Sequence, residues 1–227
     1  MSASAEGTRD EEPALLERAH RFAGLTIAEL SHLLGVPLPR DATKSKGAIG
    51  HLVERALGAS RGSRPGPDFA SGIELKTLPV DARGRPAEST FVTVLSASDL
   101  ELAWEASHAR AKLAHVLFVP VESRTVRPFA ERRFGRAFVW RPSPEEDALL
   151  ARDWLLLRDR ILVHGEVRAS EGEALQIRPK GKNAEDTTRR TDDEGAPTRQ
   201  LKRGFYLRAS FTERVLARSG LAVRRHT

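Results

Sequence analysis

Residues 68–80 read DFASGIELKTLPV, and this stretch decides the fold of the chain. Its second half is rich in apolar and β-branched residues and ends in a turn signal, which predicts a strand. Glu74 and Lys76 lie two positions apart, so their side chains leave the same face of that strand, about 7 Å apart. Leu75 points to the opposite face, into the core. Because Asp68 lies in the turn just before the strand, two carboxylates and one ammonium converge on one small region.

This D-x₅-E-x-K pattern suits the cleavage of a phosphodiester bond. Carboxylate oxygens such as those of Asp68 and Glu74 hold Mg²⁺ (with Mn²⁺ or Ca²⁺ as substitutes in binding), while water and substrate phosphate complete its shell. Lys76 would orient or deprotonate the attacking water and steady the phosphate. Glu54, on a predicted helix at residues 46–59, could bring a third carboxylate. The alternative is structural: alternating charges on an exposed strand edge, and a helix glutamate paired with a neighbour.

The patterns around this motif predict a mixed α/β (α+β) fold in which helices flank a central mixed sheet of about five strands. Further strands are predicted at residues 89–97, 115–121, 135–140, 173–180 and 204–210. Helices are predicted at residues 13–23, from Thr26 with a capping box to Glu29, at 46–59, within 102–113, at 143–162 and after Phe211. Residues 1–12 are expected to form a disordered tail, and the polar segment 183–200 a flexible loop.

A length of 227 residues allows one large domain, which we place at residues 13–227. Within it we expect an N-terminal catalytic lobe at about 13–120 and a C-terminal DNA-reading lobe at about 121–227. The chain contains no cysteine, which excludes disulfides, thiolate zinc sites and a cysteine nucleophile. It has no long apolar run and no signal-peptide pattern at its N-terminus, so we expect a cytoplasmic protein without a membrane partner.

Positive charge is concentrated near the end of the chain. The net formal charge is +6, and residues 178–227 carry 13 lysines and arginines against 6 acids, a net of +7. A one-sided basic surface is typical of proteins that bind a polyanion such as DNA. The alternative is a solvated basic face without a partner.

Beyond the short motif, residues 44–218 resemble the MutH family of methyl-directed mismatch-repair endonucleases. The matching segments occur in the family's order: KGAIGHLVERALGA, DFASGIELKTLPVDARGRP, STFVTV, WEASHARAKLAHVLFVPVE, PSPEEDALLARDW, LQIRPK and RGFYLRASFT. The resemblance implies a restriction-endonuclease-like fold with DNA in a cleft between two lobes. It also implies a monomer that uses Mg²⁺ to nick the unmethylated strand at hemimethylated GATC sites in double-stranded DNA. Activation by MutL after mismatch recognition by MutS is implied as well.

The resemblance also assigns catalytic roles to individual residues. Asp68, Glu74 and Lys76 match the family's catalytic residues, although the interval from Asp68 to Glu74 is one residue shorter than in the family pattern. Glu54 matches a helix glutamate that supports the metal site. Lys112 matches a lysine near the scissile phosphate.

The DNA-facing positions implied by the resemblance are Lys46, Glu88, Phe91, Arg178, Lys180 and Tyr206. Among them, Arg178 and Lys180 match a loop that reads GATC in the major groove, and two cations on a stiff turn suit contact with guanine or phosphate. Tyr206 matches a tyrosine linked to sensing adenine methylation. An N6-methyl group on adenine removes a donor hydrogen and adds bulk, so a ring packed against that edge could distinguish the two forms. Two other functions stay open from the residues alone: a non-catalytic DNA-binding module and a GATC restriction-type nuclease.

Overall fold

The computed structural model describes residues 11–39, 47–59, 66–180, 187–191 and 197–220. Its helices are α1 (Glu11–Arg21), α2 (Ile27–Leu34), α3 (Ala48–Leu57), α4 (Ala97–Leu100), α5 (His108–Leu113), α6 (Pro144–His164) and α7 (Ala209–Arg218). Its strands are β1 (Glu74–Val80), β2 (Thr90–Val94), β3 (Val116–Glu122), β4 (Phe138–Trp140), β5 (Leu175–Pro179), β6 (Thr187–Thr191), β7 (Pro197–Leu201) and β8 (Arg203–Leu207). Two short 3-10 helices lie at Trp104–Ala106 and Phe129–Glu131.

The mixed α/β class is confirmed, but the single central sheet of about five strands is wrong. The strands divide between two three-stranded sheets, in the orders β1-β3-β4 and β2-β8-β5, and a two-stranded sheet of β6 and β7. In the first sheet β1 runs parallel to β3, and β4 is antiparallel to β3. The second sheet is antiparallel throughout. Strand patterns in the sequence identify strands but not their partners, which is why the sheet count was not predictable.

The helix boundaries follow the capping signals in the sequence. At α2 the Thr26 side chain accepts a hydrogen bond from the Glu29 amide, while the Glu29 carboxylate accepts one from the Thr26 amide. Ser143 and Glu146 form the same reciprocal pair at the start of α6. Each such cap satisfies amides that have no partner within the helix and stabilises it by about 1 kcal/mol. Both predicted helix starts are therefore confirmed.

The expectation of a disordered tail over residues 1–12 is wrong for its last two residues. Glu11 and Glu12 begin α1, and both are held by other parts of the chain. Glu11 accepts a hydrogen bond from the Ser71 amide at 3.0 Å. Glu12 forms an ion pair with Arg141 at 2.5 Å, and its carboxylate lies 2.9 Å from Nε2 of His115. Residues 1–10 lie outside the described part of the chain.

The flexible loop expected at residues 183–200 is also corrected where the structure describes it. Strands β6 and β7 pair antiparallel, from Thr187 opposite Leu201 to Thr191 opposite Pro197. Their polar, charged sequence resembles a loop because neither strand shows an alternation of apolar and polar residues. The rest of this segment, residues 183–186 and 192–196, lies outside the described residues.

The chain forms two compact units that interleave in sequence. One comprises residues 1–88, 112–141 and 212–227, and the other comprises residues 89–111 and 142–211. The lobe boundary expected near residue 120 is therefore wrong, because the first unit needs β3 and β4 beside β1, while β2 belongs to the sheet of β8 and β5.

Each unit has its own apolar core. In the first, helices α1 to α3 pack over β1 and β3, with Leu75 and Val119 among the buried residues. In the second, Trp154 of α6 lies 4.7 Å from Phe205 of β8, measured between ring centroids. No helix in the described ranges is long and apolar enough to span a membrane.

Candidate active site

The carboxylate of Glu74 is the centre of the candidate site. Glu74 is only 2% exposed, and Lys76 donates a hydrogen bond from Nζ to its Oε1 at 2.6 Å. Leu75, between them, is buried in the apolar core of the first unit. The predicted alternation along the strand is therefore confirmed, with Glu74 and Lys76 on one face of β1 and Leu75 on the other. The alternative of charges on an exposed strand edge does not describe this site, because the Lys76 side chain is only 10% exposed.

Asp68 folds back onto the start of β1, as the sequence predicts. Its Oδ2 accepts a hydrogen bond from the Leu75 amide at 2.8 Å. The five residues between Asp68 and Glu74 are therefore enough for the Asp68 carboxylate to reach the start of β1. The other oxygen of Asp68, Oδ1, has no hydrogen-bond partner among the described residues.

A second ammonium reaches the same carboxylate from helix α5. Lys112 donates from Nζ to Oε1 and Oε2 of Glu74 at 2.9 and 3.0 Å, and to the Gly66 carbonyl oxygen at 3.3 Å. Its side chain is 23% exposed, more than that of Lys76. Two positive and two negative groups thus form a locally neutral cluster, which we call the acid–lysine cluster: Asp68, Glu74, Lys76 and Lys112.

Burial makes the charges of this cluster depend on one another. Burial lowers the pKa of Lys76, because it penalises the charged ammonium, and the adjacent Glu74 carboxylate only partly offsets this. The positive charge of Lys112 lowers the same pKa further. Removing one partner of a buried pair leaves an uncompensated charge, so the loss of Glu74 or of a lysine beside it would destabilise the fold around the cluster. A lysine whose pKa is lowered gives up its proton more readily than a solvated lysine does.

A second group of predicted site residues assembles on one face of the β2-β8-β5 sheet. Phe91 lies opposite Tyr206 across β2 and β8, and their rings meet edge to face with centroids 5.3 Å apart. Lys180 places its Nζ 4.8 Å from the centroid of the Phe91 ring. Arg178, two residues before Lys180, is exposed on the same strand end. We call these four residues the aromatic–basic patch.

Two residues that the sequence patterns did not single out, Gln176 and Gly204, shape this patch. Gln176 is buried on β5 opposite Tyr206 and donates from Nε2 to the Ser89 hydroxyl at 2.6 Å. Gly204 leaves room for the Phe91 ring, since a Cβ at that position would lie 2.8 Å from the ring edge and 2.9 Å from the Thr93 carbonyl oxygen. The signal for Gln176 was its spacing, two residues before Arg178 in LQIRPK, which puts both on one strand face.

Comparison with known proteins identifies the family. Residues 57–153 match the family model described as "DNA mismatch repair enzyme MutH". The chain is 45% identical over 209 residues to the DNA mismatch repair protein MutH of Vibrio parahaemolyticus, covering 90% of this chain and 92% of the relative. It is 47% identical over 212 residues to that of Salmonella paratyphi A, covering 91% of both chains.

The chain belongs to the MutH family. This makes the chain an endodeoxyribonuclease of DNA mismatch repair. The family match at residues 57–153 includes the whole acid–lysine cluster and, from the aromatic–basic patch, Phe91. The longer alignments to individual MutH relatives cover most of the chain.

Not all predicted site residues of this MutH-family chain come together. Glu54 is on α3 with a side chain 44% exposed, and its carboxylate lies 3.8 Å from Nδ1 of His51. The described residues contain no group of three or more histidine, aspartate or glutamate side chains that could hold a metal ion. The expectation that Glu54 adds a third carboxylate to Asp68 and Glu74 is therefore not met in this structure. Glu88 is exposed just before β2, and Lys46 lies outside the described residues.

Proposed function

We propose that this MutH-family endonuclease uses Mg²⁺ to nick the unmethylated strand of hemimethylated GATC sites in double-stranded DNA. The single observation that supports the chemistry is the buried carboxylate of Glu74, held at hydrogen-bond distance by two ammonium groups beside Asp68. Hydrolysis of a phosphodiester needs a hard-cation site, a group that handles the attacking water, and positive charge near the phosphate. The acid–lysine cluster supplies residues for each of these roles.

The donor set fits Mg²⁺. Asp68 and Glu74 offer carboxylate oxygens, which hard divalent cations prefer, and Mg²⁺ is usually held by one or two carboxylates with water and phosphate completing the shell. A third carboxylate, which the described residues do not bring to them, is therefore not required. When bound by Asp68 and Glu74, Mg²⁺ would supply Lewis-acid chemistry, which favours attack of water on the phosphate. Mn²⁺ and Ca²⁺ share the preference for oxygen and would substitute in binding.

In this proposal the two lysines have different tasks. Lys76 is buried beside the Glu74 carboxylate, and burial lowers its pKa, so it would orient the attacking water or, once it has lost its own proton, accept the proton of that water. Lys112 is more exposed and lies on a different element, so it would neutralise charge on the scissile phosphate. Glu54 would act on the metal site only from a distance. Lys46 would add a further contact on the phosphate side.

The aromatic–basic patch would read the DNA site. Arg178 and Lys180 would donate to guanine O6 and N7 or to phosphates, which are the contacts their geometry favours in the major groove. Tyr206 packs against Phe91 rather than standing alone, so a methyl group on adenine would meet a supported ring. Glu88 precedes this sheet and would lie at its DNA-facing edge.

The cellular setting of the proposal follows from the relatives, which are named DNA mismatch repair proteins. We propose that the protein acts as a cytoplasmic monomer with MutL as activator, after recognition of the mismatch by MutS. DNA would lie in a cleft between two lobes.

The test is a nicking assay on a supercoiled plasmid that carries GATC sites, with Mg²⁺ or with EDTA. We expect open circles with Mg²⁺ only, and on defined duplexes nicking of the unmethylated strand but not of fully methylated DNA. No open circle under any condition, with activator added, would favour a non-catalytic DNA-binding module. Linear product without an open-circle intermediate would favour a restriction-type nuclease, although a monomer with one site should nick one strand at a time.

A further inference from the structure

In the acid–lysine cluster, both carboxylate oxygens of Glu74 already accept hydrogen bonds from lysine ammonium groups. Lys76 takes Oε1, and Lys112 bridges both Oε1 and Oε2. These are the oxygen atoms that a divalent ion bound to Glu74 would use. The lysine ammonium groups therefore lie where a metal ion on these oxygens would have to lie.

The two lysines differ in how easily they can leave. Lys76 is a neighbour of Glu74 on β1 and its side chain is 10% exposed, so its position is fixed by the strand. Lys112 comes from α5, its side chain is 23% exposed, and its only other described hydrogen-bond partner is one carbonyl oxygen, that of Gly66. A long flexible stem lets a lysine ammonium move between anionic partners at little cost. Lys112 is therefore the group that can exchange.

We propose that Lys112 is a built-in counter-ion that competes with a divalent cation for Glu74 until DNA binds. The proposal rests on the proposed function of the cluster as a metal site. With Lys112 in place the cluster is neutral, so an incoming dication gains little net attraction. A phosphate of bound DNA offers the ammonium another anion, and its transfer would leave the cluster with a net negative charge. Metal binding is thereby coupled to DNA binding.

The experiment is calorimetric titration of Ca²⁺ into the full-length protein without DNA. We expect Lys112→Met to bind Ca²⁺ on the order of tenfold more tightly than the unsubstituted protein, because one positive charge within about 3 Å of the ligand oxygens is gone. Lys112→Arg keeps the charge and should stay near the unsubstituted protein. Arg136→Met, which removes an exposed charge from the same compact unit, is the matched control and should change nothing.

A second set of titrations includes a GATC duplex, whose integrity is checked on a gel afterwards. DNA should raise the Ca²⁺ affinity of the unsubstituted protein several-fold, and should raise that of Lys112→Met less. The gain of Lys112→Met should vanish in the Lys112→Met, Glu74→Gln double variant, whose fold is checked by circular dichroism. Equal Ca²⁺ affinity of Lys112→Met and the unsubstituted protein would overturn the proposal, as would a gain that survives without Glu74 or that Lys112→Arg shares.

Failure of this inference and failure of the proposed function give different results. If Lys112 does not compete for Glu74, the unsubstituted enzyme still nicks plasmid with Mg²⁺, and only the change in affinity is missing. If the cluster is no nuclease site, the nicking assay is negative whatever the Ca²⁺ titrations give.

Discussion

The acid–lysine cluster and the aromatic–basic patch satisfy their charges in opposite ways. In the first, Glu74 is 2% exposed and two ammonium groups lie within 3.0 Å of it. In the second, Arg178 is exposed, and the Lys180 ammonium lies over the ring of Phe91. A buried cluster of paired charges is suited to hold an ion and a water in fixed geometry. Exposed cations supported by rings are suited to a partner that brings its own negative charge.

The largest effects are expected when one lysine is removed from each region and the nicking rate and DNA affinity of the two variants are compared. Lys76→Met should lower the nicking rate at saturating DNA by about a hundredfold to ten-thousandfold, the loss typical when a group that handles the proton of the attacking water is removed. DNA affinity should change little, because Lys76 is buried. Single-turnover nicking and a fluorescence-anisotropy titration measure the two quantities on the same duplex.

Lys180→Met is the matched substitution in the other region. We expect weaker DNA binding and a salt dependence whose slope falls by about one, as for the loss of one phosphate contact, while nicking at saturating DNA stays near normal. Base contact instead of phosphate contact would leave the slope unchanged and relax the sequence preference. If Lys180→Met abolished nicking at saturating DNA, or Lys76→Met mainly weakened DNA binding, the assignment of catalysis to the acid–lysine cluster and of DNA binding to the aromatic–basic patch would be wrong.

A smaller effect is expected from Gly204→Ala, which disturbs the patch without touching a charge. The new Cβ would lie 2.8 Å from the Phe91 ring and 2.9 Å from the Thr93 carbonyl oxygen, so the ring or the strand must shift. Overpacking of this kind costs about 1–3 kcal/mol. We expect DNA affinity to fall by roughly tenfold, and discrimination between methylated and unmethylated duplexes to weaken, because Tyr206 packs against Phe91.

The readout for Gly204→Ala is anisotropy on both duplexes, with a thermal melt as control. Phe91→Leu combined with Gly204→Ala makes room for the Cβ on the side of the ring, while the close approach to the Thr93 carbonyl oxygen remains. The double variant should therefore recover part of the stability while leaving discrimination weak. Unchanged affinity and discrimination in the stable double variant would show that the Phe91 ring does not support recognition.

The two regions also differ in how far the sequence predicts them. Asp68, Glu74 and Lys76 lie within nine residues, so strand alternation and one turn fix their geometry locally. Phe91 and Tyr206 are far apart in the chain, and they meet only because β2 pairs with β8 rather than with β1 or β3. Pairing over such distances depends on the whole packing, which no local pattern encodes.

The same limit explains the errors in the fold. The starts of α2 and α6 were predictable because capping boxes are local. The antiparallel pair of β6 and β7 was missed because its residues are polar and follow no alternation. The contact of Lys112 with Glu74 depends on the placement of α5 beside β1, and only the family resemblance singled out Lys112 in advance.

The smallest effect is expected at Glu54, which either supports the metal site or only pairs with His51 on the surface of α3. Its side chain is 44% exposed and pairs with His51, so its charge reaches the acid–lysine cluster through a screened field, not through a shared ligand position. We expect Glu54→Gln to raise the Mg²⁺ concentration needed for half-maximal nicking by about threefold. The maximal rate should return to within about twofold at high Mg²⁺, since Asp68 and Glu74 remain.

A Mg²⁺ titration of the nicking rate separates the possibilities for Glu54, with Glu17→Gln on the exposed part of α1 as the control. A rate that no Mg²⁺ concentration restores would mean that Glu54 joins the metal site directly during the reaction, which requires its carboxylate to come closer to Asp68 and Glu74 than in this structure. A titration curve identical to that of the unsubstituted enzyme would mean that Glu54 is only a helix-surface partner of His51. The rise in Mg²⁺ demand with a preserved maximal rate is the one result that fits a charge acting from outside a two-carboxylate site.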